Sequence, residues 1–383
     1  MAIGEDLIQC TNPMLEIAQT VEEVGGEELK KCYQCGTCSG VCPWGNLEQF
    51  SPRNFIDMVR LGLEGFEEAT WTCVNCKMCW DRCPQQINIP QLFQSVRNIL
   101  LEWGSNPSAL NFALASLRSD ANPWGEPYDK KTAWAAKYGV PMGTEGHEYT
   151  LFACCTNEFD ARNQKDGHAV AQLLQKAGVD FGYLGNKGGC CGDMVHSVGE
   201  TAIYEGLEKK NAEVLANSKV ITISPHCLNS FKNRYPEDLK IESVHVTELY
   251  DQFLTEGKLT PVKDLNMKVT YHDPCYLGRY NDVYDAPRNI LGAIPGVELV
   301  EMDHTRETSM CCGGGGGGAW MERNKGERLG DLRVMEALKT GASKIVTACP
   351  YCVQMLEASI LGLNLDDKLQ VVTISEILLD SLA

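Results

Sequence analysis

The sequence predicts an α+β/α/β chain, in which an N-terminal helical domain with clustered cysteines precedes a duplicated α/β domain with parallel sheets. Two observations predict this fold class. Two cysteine-rich runs lie within residues 1–103, on either side of a helical pattern. From about residue 149, strand-like and helix-like segments alternate twice in the same order, which indicates parallel strands with helices on both faces.

The N-terminal domain is expected over residues 1–103, followed by a connector over residues 104–148. Between the cysteine runs, Ser51-Pro52 gives a helix start signal. The apolar residues that follow recur at the spacing of one helix face, at Phe55, Met58, Val59 and Leu63. The connector is rich in Gly, Pro, Asn and Trp, so it is expected to hold only one or two short helices.

The duplicated part is expected as two repeats, over residues 149–262 and 263–383. Each repeat runs strand, helix, strand, a Cys-Cys pair, helix and strand, and it ends in a further strand and helix. In open α/β sheets, ligands bind beyond the carboxyl ends of the strands. Each repeat is therefore expected to gather the cysteines that follow its strands at one edge of its sheet.

The cysteines of the two repeats correspond in order along the chain. The first repeat has Cys155, Cys190, Cys191 and Cys227, and the second has Cys275, Cys311, Cys312, Cys349 and Cys352. Pairing Cys227 with Cys349 leaves Ser230 opposite Cys352, with Cys154 as a spare neighbour. A plain cubane needs four thiols, so the five of the second repeat indicate a larger or unusual cluster.

Charge and composition exclude several classes of function. Acidic residues outnumber basic ones 51 to 34 among 383 residues, and the net charge of −17 argues against nucleic acid or an anionic membrane surface as partner. The start, MAIGEDLIQC, does not have the pattern of a signal peptide, and no apolar run is long enough for a membrane span. Nineteen cysteines in CxxC and CC pairs indicate metal ligation in a reducing, anaerobic cytoplasm rather than disulfides.

Eight N-terminal cysteines follow the spacing of two-cluster bacterial ferredoxins. Each run has the form C-x2-C-x2-C-x3-C-P, in which the fourth cysteine ligates the cluster of the other run. Zinc is the alternative, but it prefers four ligands in two separated CxxC pairs. Two 4Fe–4S cubane clusters are therefore expected, one on Cys32, Cys35, Cys38 and Cys83 and the other on Cys73, Cys76, Cys79 and Cys42.

These patterns resemble those of heterodisulfide reductases. The repeated C–CC–CxxC pattern resembles their cysteine-rich (CCG) domain, and KCYQCGTCSGVCP, SPRNFIDMVRLG and WTCVNCKMCWDRCP resemble their small ferredoxin-like C subunit. A chain that joins both is similar to the D subunit of the membrane-linked type. It is also similar to the DsrK subunit of the sulfite-reduction membrane complex, and to iron–sulfur subunits of glycolate or lactate oxidases and of class II benzoyl-CoA reductase complexes.

The resemblance implies an oxidoreductase subunit that cleaves a disulfide. In the family, a five-cysteine CCG motif binds a non-cubane 4Fe–4S cluster at which this reaction occurs, and the second repeat matches all five positions. Cys311, Cys312 and His272 are then the catalytic candidates. The first repeat departs from the motif, which leaves a four-cysteine cluster, a zinc ion or no metal as its alternatives.

The resemblance also implies partners in a redox complex. These are a flavin subunit of the HdrA type, a membrane cytochrome b-type subunit, or both, together with a thiol or disulfide substrate. Any association of this cytoplasmic chain with a membrane would then come through a partner subunit. The alternative function is a non-catalytic electron relay between a flavin subunit and a quinone- or acyl-CoA-linked enzyme.

Smaller signals surround the cysteines. Glycines 313–318 are expected to let the backbone approach a cluster closely, and no Gly-Lys-Ser/Thr follows them to indicate a phosphate loop. His226, like His272, adjoins a ligand cysteine and is expected mainly to hydrogen-bond its loop. Arg279 and Arg306 are expected at the solvated surface, with an acidic substrate as the alternative partner.

Overall fold

The computed structural model describes residues 15–47 and 50–382. Its N-terminal part is helical, with short helices separated by the cysteine loops. These helices are α1 (Leu15–Val21), α2 (Thr37–Val41), α3 (Pro52–Leu61), α4 (Phe66–Thr72), α5 (Met78–Asp81) and α6 (Ile89–Glu102), followed by α7 (Ser108–Asp120) and α8 (Ala133–Lys137) in the connector.

Helix α3 shows how local sequence sets these elements. The Ser51 hydroxyl accepts a hydrogen bond from the Asn54 N–H at 3.2 Å, and Pro52 fills the first turn, where its missing N–H costs nothing. Gly62 ends the helix with φ +65°, a conformation that favours glycine. The buried face includes Phe55, which stacks on Phe93 of α6 with ring centroids 3.9 Å apart. The helix therefore lies against α6, between the two cysteine loops.

The first repeat forms a four-stranded parallel sheet in the order β2-β1-β3-β4. Its strands are β1 (Tyr149–Phe152), β2 (Phe181–Tyr183), β3 (Lys219–Thr222) and β4 (Ser243–His245). Its helices are α9 (Cys155–Phe159), α10 (Asn163–Lys176), α11 (Asp193–Ser197), α12 (Thr201–Leu215), α13 (Pro225–Asn229) and α14 (Val246–Thr255).

The second repeat forms a second parallel sheet with the equivalent order β6-β5-β7-β8. Its strands are β5 (Met267–Tyr271), β6 (Val297–Leu299), β7 (Lys344–Thr347) and β8 (Gln370–Thr373), and its helices are α15 (Asp285–Ala293), α16 (Leu329–Lys339), α17 (Pro350–Leu363) and α18 (Ile374–Ser381). The predicted duplication and the predicted parallel sheets are confirmed.

The two repeats share a buried layer of helices. Tyr250 of α14, Ile290 of α15 and Leu378 of α18 are fully buried in one apolar cluster with residues of both sheets. Arg162 reinforces this layer from the first repeat, because its guanidinium binds Glu357 and Glu376 of the second at 2.7 Å each. The sheets are therefore held in a fixed relation by apolar packing and by a bridging arginine.

The N-terminal helices pack onto both repeats rather than standing apart. Their apolar core continues into residues of the first repeat, such as Val198, and of the second, such as Tyr276. Arg97 of α6 is fully buried at this junction and donates hydrogen bonds to the backbone oxygens of Thr70 and Ser197. The N-terminal domain, with its cysteine loops, therefore packs against both repeats.

The helices are short throughout the described chain. The longest, α12, has 15 residues. Crossing a bilayer takes about 20 predominantly apolar residues. No helix among the described residues has the length and the apolar character for a membrane span.

Candidate metal centres

Three cysteines of the first run and the last cysteine of the second run line one cavity, here called the outer cavity. Its thiols belong to Cys32, Cys35, Cys38 and Cys83. Cys35 is exposed, whereas Cys38 and Cys83 are buried. The neighbouring Tyr33 is 58 % exposed, so the outer cavity lies at the protein surface.

The remaining four cysteines line a second cavity, here called the inner cavity. It lies between Cys42, Cys73, Cys76 and Cys79, with Phe93 in its wall. The structure thus brings together the two sets of four that the run spacing predicts, with Cys42 and Cys83 exchanged between the runs. The exchange follows from the fold, because α2 and α5 pack side by side.

The donor set of each cavity fits a 4Fe–4S cluster. Four thiols converge on each space, and cubane clusters are bound by four thiolates. Burial raises the pKa of Cys73 to about 11 and that of Cys79 well above its ordinary value. Such thiols stay protonated at neutral pH unless positive charge compensates the thiolate. The inner cavity is therefore suited to binding a metal cluster rather than to free-thiol chemistry.

The second repeat brings all five of its predicted cysteines together. Cys311 interacts with both Cys275 and Cys312. The Cys312 and Cys352 sulfurs lie 3.4 Å apart, and Cys352 also interacts with Cys349. Every one of these residues is at most 8 % exposed. Their five sulfurs form a continuous buried chain, which exceeds the four ligands of a plain cubane or of structural zinc.

The start of helix α17 places the sulfurs of Cys349 and Cys352 on the same side of the helix. Cys349 is the N-cap of α17, Pro350 fills its first turn, and Cys352 follows three residues after the N-cap. Residues three apart at a helix start lie on one face. The Gly313 N–H donates a hydrogen bond to the Cys311 sulfur at 3.3 Å, a contact that favours the thiolate form.

His272 lies against this thiol chain. Its nitrogen and the sulfurs of Cys312 and Cys352 are all within 4.8 Å of one another. Nδ1 accepts a hydrogen bond from Arg333 Nε at 3.1 Å, so a neutral ring carries its hydrogen on Nε2. Burial lowers the pKa of His272, which keeps the ring neutral. The free N–H is then available to a sulfur.

The glycine run 313–318 approaches the N-terminal domain as well as the thiols. A Cβ at Gly314 would lie 3.8 Å from the Cys312 sulfur, an ordinary contact. A Cβ at Gly315 would lie 2.3 Å from the Val74 oxygen, and one at Gly316 would lie 2.4 Å from the Cys73 oxygen. Only glycine permits this approach, so the run lets the inner-cavity loop touch the second repeat.

Cys76 makes the shortest link between the inner cavity and the second repeat. Its thiol interacts directly with that of Cys311, and this interaction together with the Arg279 guanidinium lowers the pKa of Cys76 to about 6 against the effect of burial. Arg279 donates hydrogen bonds to the Cys76 oxygen at 2.7 Å and to the Ser309 oxygen at 2.8 Å. Two thiol sets that are 235 residues apart in sequence (311 − 76) therefore touch.

The predicted surface position of Arg279 is wrong. The residue is only 5 % exposed, because backbone carbonyls of two domains surround its guanidinium. Arg306 is 42 % exposed and pairs with Asp285 at 2.7 Å, which fits the expected surface role.

The first repeat also gathers its four predicted cysteines. Cys155 and Cys190 have sulfurs 4.0 Å apart, Cys190 interacts with Cys191, and Cys191 interacts with Cys227. All four are at most 6 % exposed. The structure thus places a second buried thiol set in the position equivalent to that of the second repeat.

The expected alignment of Ser230 with Cys352 is wrong. Helices α13 and α17 both begin with proline after an N-cap residue, which is Ser224 in the first repeat and Cys349 in the second. Cys227 therefore corresponds to Cys352, since each lies three residues after the N-cap. Equal spacing from the CC pair mispairs these residues, because the segment between the CC pair and the third strand is longer in the second repeat.

Each repeat extends one aromatic side chain to the thiols of the other. His226, between Ser224 and Cys227, hydrogen-bonds Cys349 of the second repeat. Tyr351 occupies the same position in α17. Its hydroxyl group interacts electrostatically with Cys155 and Cys190 of the first repeat. The rings of His226 and Tyr351 meet edge to face with centroids 5.0 Å apart. Sequence reasoning missed Tyr351, for which the shared pattern Pro-x-Cys was the available signal.

Comparisons with known proteins agree with this architecture. The profile of the 4Fe-4S dicluster domain family matches residues 28–87, and that of the cysteine-rich domain family matches residues 149–232 and 269–357. The D subunit of the heterodisulfide reductase of Methanosarcina barkeri is 28 % identical, and the match covers 86 % of this chain and 88 % of the relative. The chain is similar to the D subunit of heterodisulfide reductases. It is an iron–sulfur protein with a 4Fe-4S dicluster domain and a repeated cysteine-rich domain.

Other relatives of this chain are longer proteins. The EtfAB:quinone oxidoreductase of Syntrophomonas wolfei is 36 % identical over 81 % of the chain and 46 % of its own length. The probable iron-sulfur-binding oxidoreductase FadF of Bacillus subtilis is 38 % identical over 82 % of the chain and 47 % of its own length. The chain thus spans about half the length of these two curated relatives.

A solved structure shares the fold. The crystal structure of a hypothetical protein from Helicobacter pylori superposes with a TM-score of 0.55 at 10 % identity, and covers 95 % of this chain and 76 % of that one. At this identity the likeness concerns the fold alone.

Proposed function

We propose that this chain carries electrons from two 4Fe–4S clusters in its N-terminal domain to a five-cysteine non-cubane cluster in its second repeat, where a disulfide is reduced. The direct contact between Cys76 and Cys311 carries the proposal, because it joins the inner cavity to the thiol chain. The proposed ligands are Cys32, Cys35, Cys38 and Cys83 in the outer cavity, Cys42, Cys73, Cys76 and Cys79 in the inner cavity, and Cys275, Cys311, Cys312, Cys349 and Cys352 in the second repeat.

The reaction needs two electrons and two protons. Reduction breaks one S–S bond and gives two thiols, whereas iron–sulfur clusters supply electrons one at a time. The chain's own residues keep the site dry, since its five thiols are at most 8 % exposed. His272 Nε2–H faces Cys312 and Cys352, where the neutral ring can donate a hydrogen bond that orients a sulfur or stabilises a leaving thiolate.

Electron entry is proposed at the outer cavity, and the partners bind there. Cys35 and Tyr33 are exposed at that cavity, whereas the second-repeat thiols are buried. A flavin subunit of the HdrA type, a membrane cytochrome b-type subunit, or both, would dock at this surface. A cytoplasmic chain would then reach a membrane only through such a partner.

A second candidate function is a relay without disulfide chemistry. The relatives of highest identity among those described carry the names of a quinone oxidoreductase and of a probable iron-sulfur-binding oxidoreductase, at 36 % and 38 % identity, against 28 % for the heterodisulfide reductase relative. In this role the second-repeat cluster would pass electrons between a flavin subunit and a quinone- or acyl-CoA-linked enzyme. The same Cys76–Cys311 contact serves both candidates.

Electron paramagnetic resonance of the oxidised protein separates the two candidates. The protein is purified anaerobically and recorded with and without a panel of thiols, and Cys312→Ala is recorded in parallel. Disulfide reduction predicts a new paramagnetic signal with one thiol, which disappears in the variant.

The opposite result supports the relay. If no thiol changes the spectrum while the N-terminal clusters reduce normally with dithionite, the disulfide proposal fails. A protein with neither iron nor cluster absorption would contradict both candidates.

A further inference from the structure

The first repeat has a fifth thiol that its cysteine motif does not include. Cys154 precedes Cys155 directly, is 4 % exposed, and lies in the same buried cluster as the four motif cysteines; its thiol interacts with those of Cys155 and Cys227. Since Cys155, Cys190, Cys191 and Cys227 are already joined in that order, Cys154 closes them into a ring of five sulfurs. We propose that Cys154 is a cluster ligand in the first repeat and supplies there the fifth sulfur, which the second repeat takes from Cys349.

The position of the missing motif cysteine explains where the fifth sulfur must come from. The N-cap of α17 is Cys349, and the N-cap of α13 is Ser224. In the second repeat, the N-cap sulfur interacts with Cys352, which is the counterpart of Cys227. A replacement sulfur must therefore lie next to Ser224 and reach Cys227.

Cys154 meets both conditions. Its thiol interacts with the Ser224 hydroxyl as well as with Cys227. The residue has φ +71°, a conformation that side-chain-bearing residues seldom adopt, and its counterpart in the second repeat is Pro274. In the first repeat this sulfur therefore comes from the loop after β1. In the second repeat it comes from the start of α17.

The arrangement argues against zinc and against a structural thiol cluster. Zinc takes four ligands in structural sites, and five sulfurs converge here. The five cysteines are 1–6 % exposed, and each interacts with two others in the ring. A closed ring of buried thiols without metal would contribute little to stability, because a thiol is a weak hydrogen-bond donor.

The inference gives the chain two five-sulfur sites that adjoin one another. His226 and Tyr351 cross between them, each from one repeat to the thiols of the other. The inference rests on the proposed iron–sulfur chemistry, but it does not depend on whether the substrate is a disulfide.

Metal content and Mössbauer spectra of anaerobically purified full-length protein test the inference. The variants are Cys154→Ala, the double variant Cys154→Ala/Ser224→Cys, which moves the sulfur to the position used by the second repeat, and Ser230→Ala as the matched control. Cys154→Ala is expected to lose about four iron atoms per chain and one spectral component. The double variant should regain them, and Ser230→Ala should match the wild type.

Several results would overturn the assignment. These are a full iron content and an unchanged spectrum in Cys154→Ala, about one zinc per chain in the wild type, or about twelve iron atoms in the wild type instead of about sixteen. If Cys154→Ala does not fold, the double variant and the metal content of the wild type still show whether Cys154 is a ligand. The signals of the two N-terminal clusters are the internal reference, and their absence would contradict the proposed function rather than this assignment alone.

Discussion

At the scale of single residues, Arg279 shows how one buried cation joins two domains. It is enclosed by carbonyl oxygens of the inner-cavity loop and of the segment before Cys311. These carbonyls carry partial negative charge next to thiols that must become thiolates on metal binding. The guanidinium therefore fixes the junction and favours the charged form of the nearest sulfurs.

Replacing Arg279 by methionine is expected to destabilise the protein. The change leaves the Cys76 and Ser309 oxygens without donors in a buried site, which costs about 2–4 kcal/mol. Arg306→Met is the matched control, since an exposed ion pair contributes about 0–1 kcal/mol. Anaerobic thermal melts followed by circular dichroism measure both. Equal melting temperatures for the two variants would contradict the structural role of Arg279.

His272 offers a second test at this scale. Hydrogen bonds to cluster sulfurs raise reduction potentials. Loss of one bond of about 1 kcal/mol in His272→Leu should lower the potential of the second-repeat cluster by about 40 mV. A redox titration monitored by paramagnetic resonance measures this shift. His304→Leu is the control, because His304 is half exposed and contacts Glu336 rather than a sulfur. A potential that is unchanged in His272→Leu would contradict the proposed sulfur contact.

At the scale of elements, the glycine run 313–318 serves as a docking surface rather than only as a turn. Backbone oxygens of the inner-cavity loop occupy the space where side chains would project. The resulting contact brings Cys76 to Cys311, which a loop with side chains could not permit without moving the two domains apart.

Gly316→Ala is expected to disturb this contact. The new methyl group would meet the Cys73 oxygen at 2.4 Å, and φ +60° adds strain. We expect a loss of stability of about 1–3 kcal/mol and slower reduction of the second-repeat cluster. Gly292→Ala in α15 is the control, because nothing lies within 4 Å of its Cβ position and alanine favours helices. Rapid-freeze spectra after mixing with dithionite measure the rates, and identical rates in both variants would contradict the docking role.

At the scale of the whole molecule, the N-terminal domain and the two repeats share buried surfaces. Arg97 reaches from α6 to the Ser197 oxygen of the first repeat at 2.8 Å. The apolar core around Arg97 contains residues of the N-terminal domain and of both repeats. Electron transfer between the thiol sets then needs no domain motion.

Arg97→Met is expected to loosen this assembly. Its loss leaves buried carbonyls unpaired, at a cost of about 2–5 kcal/mol. The connector should then become accessible, so limited proteolysis should cut within residues 121–148 faster than in the wild type. Arg118→Met is the control, because Arg118 is 63 % exposed and pairs with Glu200. Equal cutting rates in both variants would show that Arg97 does not hold the domains together.

The sequence by itself determined the fold class, the duplication and the cysteine sets. These depend on patterns within short segments, such as β/α alternation, proline after an N-cap, and the run C-x2-C-x2-C-x3-C-P. The carboxyl ends of parallel strands meet at one edge, so the sets of sulfurs also followed from the order of elements.

Only the tertiary structure decided which cysteine sets touch, and it showed that the shared Pro-x-Cys pattern, not the count from the CC pair, matches the two repeats. Ser224 rather than Ser230 takes the place of a cysteine, because the N-cap geometry and not the count from the CC pair fixes the match. Cys154 joins the first ring, and Cys76 meets Cys311, through contacts between segments far apart in sequence. Such contacts depend on how whole elements pack, and no local pattern of residues records that packing.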